Sequence, residues 1–295
     1  VVSSPSQNFV EDLDGLPFPA YHRVDLSKYG YCTVVTSRGC PYNCTFCELP
    51  EMWGSQNRAR SIDNVIEEIN LLKEKYGVDR IMFVDDTFVL SKKRVFEFCD
   101  KLEEEKIDLR WGAYGRVNLM DGELMRRMSG AGCYHIFYGV ESGSDRILKL
   151  IKKDFTVKQS LNVISKSMDY FEEVIASLIW GFPFEIMSDF NKTLLSARYL
   201  DYIGVNYAIS LLSPLPLNHI FRKYGGKISY DDAVHYSKNY ELNMWDEKIN
   251  EIIKKHPKIF SAFYYYDQKN IFEKKRIIDK FCGSGISFMR FLARE

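Results

Sequence analysis

The stretch YCTVVTSRGCPYNCTFCE, residues 31–48, joins a short β-branched segment to a loop that holds three of the chain's seven cysteines. Its first seven residues predict a strand, because valine and threonine favour the extended conformation. The loop follows directly and contains glycine and proline, and its cysteines have the spacing Cys40-x3-Cys44-x2-Cys47. Such clustering in a short segment indicates that these cysteines bind a common partner.

The rest of the chain alternates between strand and helix patterns. Strands are predicted at residues 31–37, 80–86, 109–115, 134–142, 173–183 and 206–214. Helices are predicted between them, beginning at Ser61, Ser91, Asp121, Thr156 and Ser188. Six strands that alternate with helices predict an α/β fold with a parallel sheet and right-handed crossovers. If the sheet closes into a barrel, the loops after its strands build the active site, but periodicity alone does not distinguish a barrel from an open sheet.

Composition divides the chain into three parts. Residues 1–30 are polar with scattered proline and glycine, which predicts an N-terminal linker. Residues 31–216 carry the alternating pattern, and residues 217–295 are helical in character and rich in Tyr, Phe and Lys. We expect this last part to be a helical C-terminal extension packed on the barrel. Its aromatic stretch FYYYDQ, residues 263–268, is interpreted as core, with closure over a substrate as the alternative hypothesis.

The bulk composition excludes several classes of protein. The chain has 295 residues, and its 40 basic and 40 acidic side chains give a formal net charge of zero. This balance does not indicate a nucleic-acid partner, and no apolar run approaches the length of a membrane span. Because no signal peptide is recognisable and the cysteines are clustered, we expect a cytoplasmic protein in a reducing compartment. Since the sequence starts at Val1, we expect it to be a piece of a longer protein.

Thiolate chemistry limits the metal groups that the three cysteines could bind. A structural zinc ion usually takes four ligands in two pairs, but the other cysteines, Cys32, Cys99, Cys133 and Cys282, are isolated. Thiolates also suit iron–sulfur clusters. Three thiolates on a cubane of four irons leave one iron open to a substrate or cosubstrate. Zinc and a non-catalytic cluster are the alternatives.

The cysteine spacing, with Phe46 just before the last cysteine, resembles the signature of the radical S-adenosylmethionine (SAM) enzymes. The resemblance extends in order over residues 31–215 and implies a partial (β/α)6 TIM-like barrel. It also implies that Cys40, Cys44 and Cys47 ligate a 4Fe–4S cluster whose open iron binds SAM. An electron from the cluster then cleaves a sulfur–carbon bond of SAM and releases a 5′-deoxyadenosyl radical from the methionine portion, so the cofactors carry the chemistry and the protein positions them.

Further segments match the family where it contacts the amino-acid end of SAM. FVDDTF follows the second predicted strand, and the resemblance implies that Asp85 or Asp86 accepts a hydrogen bond from the SAM amino group. The family's frequent Gly-Gly-Glu version of this contact is absent, and capping of the next turn is the structural alternative. Arg116, in GRVN, would pair with the SAM carboxylate as a fork, with an ordinary salt bridge as the alternative.

The later segments match the family where it contacts the ribose and adenine of SAM. In GVESGSDRILKLIKK, residues 139–153, the resemblance places Glu141 and Ser142 against the ribose or the amino-acid portion. A carboxylate suits the ribose because it accepts two hydrogen bonds. Gly181, in IWGFPFE, would allow close backbone approach near adenine, and Leu212, in LLSPLP, ends the last strand where a backbone group would reach adenine. Helix capping and core packing are the structural alternatives.

Two other polar residues receive structural interpretations. Glu185, at the end of IWGFPFE, is interpreted as a polar loop residue. The five histidines form no motif, and His135, inside the fourth predicted strand, is interpreted as a satisfied core histidine.

The segment EDLDGLPFPAYHRVDL, residues 11–26, indicates a branch of the family. It resembles the linker between a cobalamin-binding domain and the barrel in cobalamin-linked radical SAM proteins. This resemblance implies radical methylation or rearrangement of a small-molecule substrate, and an electron donor such as flavodoxin or ferredoxin. Cobalamin would be held by a domain that precedes Val1 or is absent from the protein. Methylthiotransferases share the barrel and are the alternative branch, although the helical tail does not match their terminal β-domain.

Overall fold

A computed structural model describes residues 8–231, 234 and 247–283. Within them the strands are β1 (Cys32–Val34), β2 (Ser37–Arg38), β3 (Arg58–Ala59), β4 (Arg80–Phe83), β5 (Arg110–Gly115), β6 (Cys133–Glu141), β7 (Glu173–Trp180), β8 (Asn206–Leu211), β9 (Ile228–Ser229) and β10 (Tyr265–Tyr266). The α-helices there are α1 (Leu49–Trp53), α2 (Ile62–Tyr76), α3 (Lys92–Glu104), α4 (Gly122–Gly130), α5 (Asp145–Leu150), α6 (Val157–Ser167), α7 (Met187–Tyr202), α8 (His219–Tyr224), α9 (Glu247–Lys255) and α10 (Ile271–Gly283). Each helix in these ranges is too short or too polar to cross a bilayer.

Six strands form the main sheet, in the order β1-β4-β5-β6-β7-β8. Every neighbouring pair in it is parallel, and the order of the strands in space follows their order in the chain. Helices connect the successive strands, so the predicted alternating α/β fold with a parallel sheet is confirmed. Because all six strands run the same way, their carboxyl ends lie at one edge of the sheet. The cysteine loop begins at that edge, directly after β1 and β2.

Local capping explains why four of the five predicted helices begin where the sequence predicts; the fifth, α7, begins at Met187 and is capped at Ile186, not at Ser188. Ser61, Ser91 and Asp121 each accept a hydrogen bond from the backbone N–H three residues later. Thr156 does the same, and the Gln159 side chain accepts a hydrogen bond from the Thr156 backbone N–H, which completes a capping box. These caps satisfy N–H groups that have no partner inside the helix.

The first strand is shorter than the predicted 31–37. β1 ends after three residues, and β2 turns away to pair antiparallel with β3. The backbone N–H groups of Thr36 and Ser37 donate to the Asp85 carboxylate instead of continuing the sheet. A side chain that comes 49 residues after Thr36 therefore ends the strand, and the local β-branched pattern does not indicate it.

An aromatic cluster packs the sheet against α3. Its ring centroids lie 4.9 to 6.0 Å apart, and its members are Phe83, Phe88, Phe98 and Trp111. Four of these six ring contacts are edge-to-face, and such contacts add to the stabilisation from buried area. His135 is buried in β6, and its Nδ1 lies 2.7 Å from the Glu173 carboxylate, which confirms the interpretation as a satisfied core histidine.

The C-terminal tail is helical only in part. Besides α8, α9 and α10, it contains a two-stranded antiparallel sheet of β9 and β10, which the expectation of a helical extension missed. Tyr264, Tyr265 and Tyr266 are buried, which agrees with the interpretation of this aromatic stretch as core, and closure over a substrate stays a hypothesis. The predictions for residues 235–246 and 284–295 lie outside the described residues.

The N-terminal segment, residues 8–30, is bound along α2 and β3. The Tyr21 hydroxyl donates to Glu68 at 2.6 Å, and the Arg58 guanidinium lies 4.7 Å from the Phe9 ring centroid. These contacts join the segment to the same body as the cysteine loop. The division of the chain into linker, barrel and extension stays a prediction.

Candidate functional site

The carboxyl ends of β4, β5 and β6 border a cavity of about 430 Å³. The loop after β2 contributes the three cysteines Cys40, Cys44 and Cys47 to its wall, together with the rings of Tyr42 and Phe46. Cys40 and Cys44 are buried and Cys47 is half-buried. The structure thus brings the three predicted metal ligands and Phe46 to one cavity.

Two acidic residues after β4 hold the cysteine loop in place. Asp85 accepts hydrogen bonds from the backbone N–H groups of Thr36 and Ser37, at 2.6 and 2.7 Å, and from the Thr36 hydroxyl at 2.6 Å. Asp86 accepts one from the backbone N–H of Gly39 at 2.8 Å. Both carboxylates also border the cavity. Their observed partners are Thr36, Ser37 and Gly39, which lead into the cysteine loop, and the contact with the SAM amino group stays a prediction.

The Asp85 carboxyl group is enclosed by protein. Burial raises its pKa from 3.8 to about 6, although hydrogen bonds from Thr36 and Ser37 and the charge of Arg94 oppose the rise. The folded pKa therefore exceeds the unfolded one. The contribution of this group to stability is fully present below about pH 4 and is lost as the pH rises through its folded pKa.

Replacing Asp85 by Ala should destabilise the chain by about 1–3 kcal/mol at pH 7, because buried donors of Thr36 and Ser37 lose their acceptor. Iron uptake should also fall, since the cysteine loop loses an anchor. Urea unfolding and iron content measure the two effects, and Asp79→Ala, at an exposed position just before β4, is the control.

The stability difference between the wild type and Asp85→Ala should depend on pH, because the folded pKa of Asp85 is raised. The free energy of unfolding of the wild type should exceed that of the variant by up to about 3 kcal/mol more at pH 4 than at pH 7. An advantage that does not change with pH would contradict the assignment.

Gly39 occupies a tight position in the cysteine loop. Its φ is +92°, and a Cβ atom there would lie 2.2 Å from the Gln56 carbonyl oxygen. Gly39→Ala should therefore displace the loop and lower the iron content of the reconstituted chain. Gly77→Ala is the matched control, because Gly77 has a φ of +66° and open space around it. That control should lose only about 1–2 kcal/mol of stability and keep its iron; equal iron contents in the two variants would refute this prediction.

Arg116 follows β5 and lies at the cavity beside a cysteine. Its Nη1 donates to Cys44 Sγ at 3.6 Å, and its guanidinium carbon lies 3.6 Å from the Tyr42 ring centroid. Its Nη2 lies 3.5 Å from the Asp154 carboxylate. The structure thus places this predicted partner of the SAM carboxylate at the site and gives it a thiol contact that the sequence did not indicate.

Glu141 and Lys153 form a buried ion pair in the same cavity. Their side chains approach to 3.0 Å, and Lys153 Nζ also donates to the Gly139 carbonyl at 3.0 Å. Glu141 has a φ of +69°, a conformation uncommon outside glycine that concentrates at functional sites. Sequence reasoning identified Glu141 but missed Lys153. The sequence signal for Lys153 was that GVESGSDRILKLIKK, the segment that contains Glu141, ends in two lysines.

Three predicted SAM contacts do not border this cavity. The Ser142 hydroxyl bonds to the Thr193 hydroxyl at 3.1 Å and accepts from the Ser144 backbone N–H at 3.2 Å. Gly181 has a φ of +86° at the end of β7, and the buried Leu212 donates its backbone N–H to the Trp180 carbonyl at 2.8 Å. The observed contacts of these residues hold the loops after β6, β7 and β8.

Glu185 was interpreted as a polar loop residue, and the structure corrects this. Its carboxylate is buried, accepts the Gly181 backbone N–H at 3.0 Å and lies 2.8 Å from Lys274 Nζ. Burial raises the pKa of Glu185, and the neighbouring Lys274 charge opposes that rise. The pair joins α10 to the end of β7 and lies outside the cavity lining.

The donor set of the cavity fits a group that takes three thiolates. Burial raises the pKa of the Cys47 thiol to about 11, and Cys44 and Cys40 add to the rise, so metal binding there must displace protons. Within the described ranges, no three His, Cys, Asp or Glu side chains are arranged to hold a single metal ion. A cubane cluster distributes its thiolates over different irons and does not require that arrangement. The three cysteines therefore fit a 4Fe–4S cluster.

Comparison with protein families identifies the class. The profile of the Radical SAM superfamily matches residues 34–197, which is more than half of the chain. The chain belongs to the radical SAM superfamily, whose enzymes use a 4Fe–4S cluster and SAM. The sequence resemblance on the cysteine loop is thereby confirmed at the level of the superfamily.

Individual relatives are named methyltransferases. The chain is 34% identical over 222 residues to an uncharacterized methyltransferase of Pyrococcus horikoshii, covering 73% of this chain and 48% of that protein. It is 31% identical over 198 residues to cytidylyl-2-hydroxyethylphosphonate methyltransferase of Streptomyces wedmorensis, covering 61% of this chain and 37% of that protein. The chain thus spans about half or less of the length of these relatives.

A solved structure shows the same fold. The radical SAM methyltransferase TsrM of Kitasatospora setae, determined with tryptophan substrate and a SAM analogue, superposes with a TM-score of 0.69. The match has 16% identity and covers 90% of this chain and 54% of that one. TsrM has also been determined with cobalamin and a [4Fe-4S] cluster bound. The six-stranded parallel sheet is therefore the TIM-like barrel that the resemblance implied.

Proposed function

We propose that this chain is the barrel of a radical SAM enzyme that methylates or rearranges a small-molecule substrate. One observation carries the proposal: three cysteines of a single loop meet in one cavity at the carboxyl edge of the sheet, beside Arg116 and the Glu141–Lys153 pair. When bound there, the cluster and SAM supply an electron and a 5′-deoxyadenosyl radical. The superfamily and the methyltransferase names of the relatives support this reading.

The residues of the cavity have distinct proposed roles. Cys40, Cys44 and Cys47 hold the cluster. Asp85 and Asp86 keep these cysteines in place by accepting hydrogen bonds from the backbone just before them. Arg116 and Lys153 offer positive charge for the SAM carboxylate, because cationic side chains form strong charge-assisted hydrogen bonds with carboxylates. Glu141 offers acceptors for the SAM amino group or ribose hydroxyls. Phe46, which packs 6.4 Å from the Phe182 ring centroid, gives the cavity an apolar wall.

The remaining partners of the protein follow from the family branch. We propose that cobalamin takes part and is held by a segment outside these 295 residues, as the cobalamin-bound TsrM structure suggests. A flavodoxin or ferredoxin is the proposed electron donor, and the cytoplasm is the proposed location. Nucleic acid and membrane are not proposed as partners.

Anaerobic reconstitution tests the proposal directly. The chain is incubated with iron and sulfide, reduced with dithionite and measured by electron paramagnetic resonance (EPR) with and without SAM. We expect a reduced 4Fe–4S signal that shifts when SAM is added, together with 5′-deoxyadenosine detected by mass spectrometry. Uptake of one zinc ion and no iron would overturn the proposal and leave a structural metal site.

Methylthio transfer is the less supported alternative. It requires a second cluster, so the iron content of the full-length protein distinguishes it from methylation. A cluster that forms but gives no 5′-deoxyadenosine and no response to SAM would favour the non-catalytic alternative.

A further inference from the structure

Arg116 contacts one of the three cysteines through a buried hydrogen bond. Its Nη1 donates to Cys44 Sγ at 3.6 Å, and both residues are only 7% exposed. A donor at this distance from sulfur interacts with the ligand atom itself.

The surroundings of Arg116 leave its charge only partly balanced. Its paired carboxylate, Asp154, is 3.5 Å away and has a side chain that is 67% exposed, so water screens that interaction. The Tyr42 ring supports one face of the guanidinium, with the Phe155 ring centroid 5.9 Å away. In the described part of the chain, Arg116 Nε is buried without a hydrogen-bond partner.

We propose that Arg116 raises the reduction potential of the cluster bound by the three cysteines, by donating a hydrogen bond to the Cys44 thiolate. This role rests on the proposed function, and Arg116 would have it in addition to its proposed role in SAM binding. Arg116 is in this respect a positioning residue that acts through Cys44. Its Nε has no hydrogen-bond partner among the described residues and its Nη2 pairs with Asp154, so the Cys44 contact uses only Nη1.

The physical reason is the charge change on reduction. One electron from a low-potential one-electron donor converts the 2+ cluster core to the 1+ core, with no bond broken and no proton required. The product has one more negative charge, so a nearby cation stabilises it more than the oxidised form. Arginine stays charged in any protein environment, and hydrogen bonds to the cluster sulfurs and burial set the potentials of iron–sulfur clusters.

Three variants separate the effect of charge from that of geometry. Arg116→Gln removes the cation, Arg116→Lys keeps a cation without the planar fork, and Asp154→Asn leaves the cysteine contact in place. Each reconstituted chain is titrated with dithionite at fixed potentials, and the reduced cluster is measured by EPR in the absence of SAM. Iron content is measured in parallel, and SAM affinity is measured in a separate titration.

We expect the midpoint of Arg116→Gln to move to lower potential. At the wild-type midpoint, its ratio of reduced to oxidised cluster should fall about tenfold, which corresponds to about 59 mV for a one-electron couple. Arg116→Lys should lie between this variant and the wild type, and it supplies the readout if Arg116→Gln retains no cluster. Asp154→Asn should match the wild type.

Two results would overturn the inference, and they differ in meaning. If both Arg116 variants keep the wild-type midpoint without SAM and lose only SAM affinity, Arg116 is a SAM ligand and does not tune the cluster. If the wild-type chain itself takes up no iron, the proposed function fails and this inference fails with it.

Discussion

Replacing Cys44 by Ala should abolish reductive SAM cleavage by this chain. The variant removes one of three thiolates and leaves an iron of the cluster without its protein ligand. It also removes the sulfur that accepts the Arg116 hydrogen bond, at 3.6 Å in the wild type. The expected result is a large loss of iron after reconstitution, no EPR signal that responds to SAM, and 5′-deoxyadenosine at background level.

A cysteine outside the loop provides the matched control. Cys99 is buried in α3, where burial raises the pKa of its thiol to about 12 and keeps it protonated. Cys99→Ala should cost some stability through lost packing but retain the cluster and SAM cleavage. If Cys44→Ala cleaves SAM at the wild-type rate, the three-cysteine site is not where the chemistry occurs.

Replacing Lys274 by Met should destabilise the chain by about 3–5 kcal/mol, the cost of leaving a buried charge without its partner. The side chains of Lys274 and Glu185 are 1% and 0% exposed and lie 2.8 Å apart. Lys274 Nζ also donates to the Glu185 carbonyl at 3.1 Å. The variant therefore removes this donor and leaves the carboxylate without its cation, although the Gly181 backbone N–H still donates to it. Urea unfolding measures the change in the free energy of unfolding.

Two further variants test whether the buried pair is the cause. Lys275→Met removes the neighbouring lysine, which pairs with the exposed Asp279 one turn away, and should change stability by at most about 0.5 kcal/mol. The double variant Glu185→Gln with Lys274→Met should recover part of the loss, because the unpaired charge is gone. Equal stabilities of Lys274→Met and Lys275→Met would refute the assignment.

The stability of the Lys274→Met variant should depend on pH in a defined direction. Burial raises the pKa of Glu185 even with Lys274 present, and removing that cation should raise it further. The folded variant therefore binds a proton more readily than its unfolded chain, so its stability should recover as the pH falls. The free energy of unfolding of Lys274→Met should fall short of the wild-type value by less at pH 5 than at pH 8. A deficit that grows on acidification would contradict the buried pair.

The tail is anchored to the barrel at the strand that ends beside Gly181. Lys274 in α10 and Glu185 after β7 are 89 residues apart in the chain. A second link lies nearby, where the Gln268 side chain donates to the Phe182 carbonyl at 3.4 Å. The expected large effect of Lys274→Met thus depends on a contact between the barrel and the tail.

The sequence by itself determined the features that arise from neighbouring residues. Four helices begin directly after the predicted caps Ser61, Ser91, Asp121 and Thr156, because each cap side chain accepts a hydrogen bond from the backbone N–H three residues later. The alternation of apolar strands with amphipathic helices predicted the parallel sheet. The three cysteines could be identified together because they lie within eight residues of each other, as iron–sulfur ligands of one loop often do.

Only the tertiary structure decided which distant side chains meet. In the fold, Asp85 accepts hydrogen bonds from Thr36 and Ser37, and the first strand ends before them. Lys153 lies beside Glu141 and forms an ion pair with it. The Ser142 hydroxyl forms a hydrogen bond with the Thr193 hydroxyl and does not line the cavity. The reason is that these contacts depend on how strands and helices pack, and local patterns of charge and hydrophobicity do not record which distant residues lie opposite each other.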